Sequence, residues 1–132
     1  MLMSLVGIPW LAGGRDEAGI DCVGLALLAQ KRLWGRHYPW PHDYIPGRDT
    51  DQEEAIYSWL PSIAEPCDGP EVGGLVVMLL SVDGQPFGHI GTIVDTGRML
   101  HTSPGGSSRV ARFSGAYRRR TRGFFRAREE KT

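Results

Sequence analysis

The 132-residue sequence contains few cysteines and no long apolar segment. Cys22 and Cys67 are too few for a disulfide scaffold, and no Cys-x-x-Cys pair marks a zinc site. The opening residues, MLMSLVGIPW, lack a basic segment and are interrupted by Pro9, which argues against a signal peptide. No apolar run approaches the length of a membrane span. We therefore expect one domain over residues 1–132, made in the cytoplasm and not inserted in a membrane.

Acidic residues are scarce in the C-terminal part of the chain. From Arg109 onward the sequence has nine basic residues and two acidic ones, a net charge of +7, whereas the first 108 residues carry −7. A basic tail permits nucleic-acid binding, but its interleaved aromatics are limited to GFFR and no nucleic-acid fold signature occurs. We expect no nucleic-acid partner and favour docking of this segment on acidic residues of this chain or of a neighbour.

A helix is predicted to begin near Cys22. Asp21 is a favoured N-cap residue, and Gly35 is a good C-terminal stop. Between them an apolar stripe repeats at helical spacing, formed by Leu25, Leu28, Ala29 and Leu33.

A second helix is predicted in TDQEEAIYSWL, residues 50–60. Thr50 and Glu53 form a capping box, and Pro61 ends the helix. Its expected buried face consists of Ala55, Ile56, Trp59 and Leu60.

Strand patterns follow, after a predicted loop over residues 61–74. The continuous apolar run LVVMLLS, residues 75–81, predicts a central strand. HIGTIVD, RMLHTS, SRVARFS and RGFFRAR predict further strands separated by Gly-rich turns. Helices first and strands second predict an α+β fold, with N-terminal helices packed on a C-terminal antiparallel sheet.

Cys22 at a helix start lies where backbone N–H groups and the helix dipole stabilise a thiolate. A cysteine beside an apolar helix more often serves simple packing than catalysis, so a catalytic interpretation needs a base nearby. Cys67 has no helix start and no basic neighbour, and we expect it to be unreactive.

His89 and His101, on consecutive predicted strands, are the candidate base and its orienting partner. A three-residue turn, Asp95 to Gly97, would pair Val94 with Arg98 and set His101 opposite Gly91. Both imidazoles then share one face as diagonal neighbours.

This geometry predicts Cys22 as nucleophile, His89 as general base and His101 as the residue that holds the His89 tautomer. Two histidines on one face also suit a metal, but no third ligand has convincing spacing, and we predict no metal.

Two stretches together resemble the NlpC family of cell-wall cysteine peptidases: GIPWLAGG followed by GIDCVGL, and later GHIGTIVDTGRMLHTS. The family carries a Gly-x-Pro-Tyr-x-x-Gly-Gly loop, Asp-Cys-Ser-Gly-Leu at a helix start, His-Val-Gly-Ile on a strand and a second histidine after the next turn. The similarity runs from about Val6 to Arg126. HYPWPHDY, LVVMLL, GRMLH and RTRGFFR further resemble the subgroup encoded with phage tail genes.

The resemblance implies a papain-like fold without cofactor or metal. It implies hydrolysis of a peptidoglycan stem-peptide amide, typically between γ-D-glutamate and diaminopimelate or lysine. Cys22, His89 and His101 match the nucleophile, base and orienting residue, and Asp21 matches the acid that holds the stem-peptide amine. Other phage tail-tip proteins are the implied partners, and a virion tail tip the implied location.

The sequence departs from the family pattern at three places. Trp10 replaces the motif tyrosine, where it is expected to contact the substrate, and it can donate but not accept a hydrogen bond. Val23 replaces the serine after the cysteine, and Gly73-Gly74 replaces Gly-Asp before the central strand. Two alternatives stay open: a tail-tip structural subunit with a vestigial site, and a hydrolase or acyltransferase of the same fold acting on another amide or ester.

Overall fold

The computed structural model describes residues 2–39, 56–82 and 84–129, with the backbone only at residues 82 and 85–87. After a 3-10 turn over Leu2–Leu5 and a small hairpin of β1 (Arg15–Asp16) and β2 (Gly19–Ile20), the helix α1 spans Cys22–Trp34. Asp21 is its N-cap, because Oδ1 accepts a 2.8 Å hydrogen bond from the Gly24 N–H. Gly35 ends it in the left-handed conformation, φ 69°. Both predicted helix ends are therefore confirmed.

The second predicted helix is described only at its C-terminal end. Residues 56–59 are helical and continue into a 3-10 turn over Leu60–Ser62, which contains Pro61. Ile56 and Leu60 are fully buried, as expected for the apolar face. The predicted capping box and Ala55 lie outside the described residues.

Six antiparallel strands form the main sheet in the order β3-β8-β4-β5-β6-β7. They are β3 (Ala64–Cys67), β4 (Leu75–Val82), β5 (Gln85–Asp95), β6 (Arg98–His101), β7 (Arg109–Arg112) and β8 (Thr121–Ala127), with the short helix α2 (Ala116–Arg119) between β7 and β8. The predicted strands and the α+β class are confirmed.

The predicted loop over residues 61–74 is wrong in part. Within residues 61–74, Ala64–Cys67 forms the edge strand β3 on β8, and Pro66 is tolerated there because an edge strand has one unpaired side. The Gly-rich segment before Cys22 contains the β1–β2 hairpin, with Arg15 opposite Ile20. These strands are too short to show a two-residue period in the sequence.

The sheet is apolar on both faces. On one face Val77, Ile90 and Leu100 pack in the clusters that contain residues of α1. The alternate residues form a separate core on the other face: Val76, Met78, Ile93, Met99 and Phe113. α1 therefore covers one face, and the loop and short helix after β7 contribute to the other. No helix in the described part of the chain is both long and apolar enough to cross a membrane.

Part of the basic C-terminal segment docks on acidic residues of the same chain. Arg126 makes a two-pronged ion pair with Glu71, at 2.9 and 2.7 Å, and lies 3.6 Å from Glu65. Arg128 lies 3.8 Å from Glu65. The predicted intramolecular docking is confirmed for these two arginines.

Candidate active site

The β5–β6 hairpin has the register that the sequence predicts for the histidines. Thr92 pairs with Leu100 and Ile93 with Met99. The predicted pairing of Val94 with Arg98 is wrong, because the ladder shifts between Ile93 and Asp95 and Asp95 pairs with Arg98. The extra residue on β5 acts as a bulge, which lets the chain close through a turn with a left-handed glycine, φ 83° at Gly97.

His89 and His101 are joined by a direct hydrogen bond. His89 Nε2 lies 3.0 Å from His101 Nδ1, and the two rings meet edge to face. Both side chains are buried. The ring of Tyr117, on α2, packs edge to face on His101 with its centroid at 5.2 Å. The predicted contact between the two imidazoles is therefore confirmed.

The surroundings of both rings favour the neutral imidazole. Burial, the neighbouring His101 and the positive charge of Arg109 hold the pKa of His89 well below its usual value. Burial and Arg109 lower the pKa of His101 to about 4. A neutral His89 at neutral pH has an unprotonated nitrogen, which a general base requires.

Cys22 lies at the same end of the sheet as the histidines. It is 1% exposed and packs in the cluster that contains Ile90, the residue after His89. The segment before α1 is attached here too, since Pro9 accepts from the Ile20 N–H and bridges to Ser107, a few residues after β6 ends at His101.

The two groups approach β5 from different sides. Ile90 faces α1, whereas His89 pairs with Met78 and alternates with Ile90, so its ring is on the opposite face.

Asp21 holds the entry to α1. Its Oδ1 accepts from the Gly24 N–H at 2.8 Å and its Oδ2 from the Gly13 N–H at 2.9 Å. The carboxylate is 1% exposed. Its N-cap role is confirmed, whereas its role as a ligand for a substrate amine stays a prediction.

Gly24 fits this corner because it lacks a side chain. A Cβ at Gly24 would lie 2.4 Å from the Gly14 carbonyl oxygen, so the loop before the cysteine can lie directly on the first turn of α1. A glycine is therefore required two positions after Cys22, because any side chain there would clash with the loop.

Trp10 is fixed in the loop beside the helix start. Its backbone N–H donates to the Gly106 carbonyl at 3.0 Å, and it bridges to Ile20. The indole Nε1 is buried and has no hydrogen-bond partner in the part of the chain that the structure describes. The predicted substrate contact of Trp10 stays a prediction.

Arg109 is a site neighbour that the sequence reasoning missed. It pairs with His101 across β6 and β7, and its charge acts on both histidines. The sequence carries a signal for it, because pairing the next predicted strand, SRVARFS, with β6 places one of its residues opposite His101. Tyr117 had no comparable signal, since its contact depends on how the short helix α2 folds back.

Cys67 and the main cavity of the described structure are not part of this site. Burial and nearby Glu71 raise the pKa of the Cys67 thiol, consistent with its predicted low reactivity. Within residues 2–39, 56–82 and 84–129, no three His, Cys, Asp or Glu side chains are placed to hold a metal. A cavity of about 970 Å³ lies between the end of α1 and the β3–β8 edge and contains none of the predicted site residues.

A cysteine at the start of a helix and two joined histidines on an adjoining antiparallel sheet define an arrangement typical of cysteine hydrolases. No protein-family model matches the chain, and a search of curated proteins gave no significant match. Solved structures do match. The NlpC/p60 domain of the peptidoglycan hydrolase SagA is 20% identical, with a TM-score of 0.55, over 94% of this chain and 91% of that domain.

Two longer proteins show the same similarity. An NlpC/p60 family protein from Bacillus cereus is 20% identical with a TM-score of 0.58, over 92% of this chain and 36% of that one. A lipoprotein-like NLP/P60 family protein from Staphylococcus aureus is 16% identical with a TM-score of 0.58, over 99% and 40%. This chain thus spans about two-fifths of each of those two proteins. The likeness establishes that the chain has the NlpC/p60 fold.

Proposed function

We propose that this protein is a cysteine peptidase that hydrolyses an amide bond in the stem peptide of peptidoglycan, of the γ-D-glutamyl-diamino acid type. The observation that carries the proposal is the 3.0 Å contact between His89 and His101 at the end of the sheet where α1 begins with Cys22. The fold shared with a domain of a peptidoglycan hydrolase supports the substrate class.

In this proposal the two nitrogens of His89 have different roles. Because Nε2 contacts His101, Nδ1 is the atom that takes the proton from the Cys22 thiol. His101 accepts from Nε2–H and so keeps the productive tautomer. The thiolate forms at the N-terminus of α1, where the helix dipole stabilises its charge.

The reaction then proceeds in two halves. The thiolate attacks the scissile carbonyl, and the Cys22 backbone N–H, which lies in the first turn of α1, donates to the oxyanion. The C–N bond breaks as His89 returns its proton to the departing amine, which leaves a thioester on Cys22. Water, deprotonated by His89, cleaves the thioester and releases the carboxylic acid.

A second candidate is a structural domain whose site no longer reacts. The observation that favours it is burial: Cys22, His89 and His101 are each at most 1% exposed. Val23, in place of the family serine, removes a polar substrate contact and points the same way. In this interpretation the joined histidines serve only as a polar pair within the core.

We further propose that the protein acts in a phage-type tail tip, where it opens the wall locally. The support is the resemblance of HYPWPHDY, GRMLH and RTRGFFR to the tail-encoded subgroup. Other tail-tip proteins are the proposed partners, and co-purification of the chain with assembled tails tests this placement.

The test of the enzymatic proposal is hydrolysis of soluble muropeptides, with products identified by mass. Cys22→Ala and His89→Ala should each abolish cleavage, since the first removes the nucleophile and the second its base. His101→Ala should leave a weak remnant, because the base is still present but no longer oriented.

Cys67→Ala is the matched control and should retain wild-type cleavage. Full activity in the Cys22 or His89 variant would exclude the assigned roles. A folded wild-type protein that cleaves none of the muropeptides would favour the structural candidate.

A further inference from the structure

Arg109 is placed beside the histidine pair by the sheet. It lies directly opposite His101 in the β6–β7 ladder, and residues so paired project from the same face. The arginine side chain is therefore on the face that carries both imidazoles. Its neighbour three residues on, Arg112, pairs with Arg98 at the far end of the same ladder and points to the other face.

The guanidinium is oriented by neutral groups. Nη1 donates to the Ser107 carbonyl at 3.1 Å, and Nη2 lies 3.4 Å from Ser103 Oγ. The side chain is half-buried. A guanidinium has more N–H donors than these two contacts use.

Arg109 has no acidic partner among the described residues, unlike Arg98 and Arg126 of the same sheet. Arg98 pairs with Asp95, and Arg126 with Glu71. Across the residues described, no carboxylate lies within ion-pair distance of Arg109. A half-buried, oriented cation of this kind is suited to a carboxylate supplied by a ligand.

We propose that Arg109 is a carboxylate-binding subsite of the active site, and that its ligand is the free α-carboxylate of a γ-linked glutamyl residue. The inference rests on the proposed function and narrows its substrate. A glutamyl residue joined through its side-chain carboxyl necessarily keeps its α-carboxylate free, close to the scissile amide. A substrate with an α-linked glutamate would place no such group there.

Binding at Arg109 also activates the base. The arginine charge disfavours a proton on either imidazole, and both pKa values are lowered by it. A carboxylate seated on the guanidinium offsets that charge, so His89 accepts the thiol proton more readily once substrate is bound. Bound substrate therefore promotes formation of the reactive pair.

The experiment compares two synthetic stem peptides that differ only in the α-group of the γ-D-glutamyl residue, carboxylate or carboxamide. Wild-type enzyme should cleave the carboxylate with at least tenfold higher kcat/KM. Arg109→Gln should reduce this ratio to within about twofold, whereas Arg109→Lys should keep part of it because the charge remains. Arg112→Gln, which removes the same charge from the same strand, should keep the full ratio.

Binding of both peptides to the Cys22→Ala variant, followed by the imidazole NMR signals of His101, separates the two proposals. Cleavage with equal kcat/KM for both peptides in wild type, or an unchanged ratio in Arg109→Gln, would overturn the subsite. Selective carboxylate binding without any cleavage by wild type would support the subsite and overturn the peptidase. If wild-type protein cleaves neither peptide and the Cys22→Ala variant binds both equally, the subsite and the peptidase proposal are both overturned.

Discussion

The buried imidazole of His101 makes the folded protein sensitive to mild acid. Its pKa is lowered from 6.5 to about 4, so the unfolded chain binds a proton there at a higher pH than the folded chain does. Stability therefore falls as the pH drops through this window and is fully retained above pH 6.5. His89, whose pKa is lowered in the same direction, adds to the loss.

The size of the effect follows from the shift. At pH 4 the His101 site alone should cost about 3 kcal/mol of unfolding free energy relative to neutral pH. For a domain whose total stability is on the order of 5–15 kcal/mol, that is a large share. The acidic groups Asp95 and Glu71, whose pKa values are lowered by Arg98 and Arg126, begin to lose their contribution only below their ordinary pKa values of 3.8 and 4.5.

The assay is urea unfolding at a series of pH values between 4 and 7 in wild type and His101→Gln. The glutamine has no titrating group, so the difference in free energy between the two proteins should change by about 3 kcal/mol across the window. A pH-independent difference between wild type and His101→Gln would refute the buried, neutral imidazole.

Two further predictions concern the start of α1. Asp21→Ala should lower the unfolding free energy, measured by chemical denaturation, by about 1–2 kcal/mol, because the hydrogen bonds to Gly24 and Gly13 are both lost. Asp21→Asn should retain part of this stability, since its side-chain oxygen still accepts a hydrogen bond. Equal stability of all three proteins would contradict the capping role. Iodoacetamide at neutral pH should alkylate Cys22 faster than Cys67, because burial and Glu71 keep the Cys67 thiol protonated. The masses of the labelled peptides measure both rates. Equally slow labelling of the two cysteines would favour the structural candidate.

Local signals explain why much of the site could be predicted from the sequence. Asp21 and Gly35 act on the residues next to them, so residue type alone fixes both ends of α1. The two histidines are separated by a single tight turn, and Gly97 restricts its geometry. A bulge changed the details of that turn, yet it preserved the register further along the strands and so left the histidine pair in place.

The features that could not be predicted depend on contacts between distant residues. β3 forms because it pairs with β8, which lies about sixty residues later in the chain. The residues AEPC show no strand pattern of their own. The contact of Tyr117 with His101 requires the chain after β7 to fold back on the sheet. The near-complete burial of Cys22 likewise results from the packing of α1 on the sheet, which no helix-start signal encodes.

The most direct measurement is digestion of purified sacculi, with the released peptides identified by mass. We predict that wild-type protein releases fragments with a new glutamyl carboxyl group and a new free amine on the diamino acid, and that Cys22→Ala releases none. Sacculi left intact by the folded wild-type protein, or fragments released equally by Cys22→Ala, would contradict it.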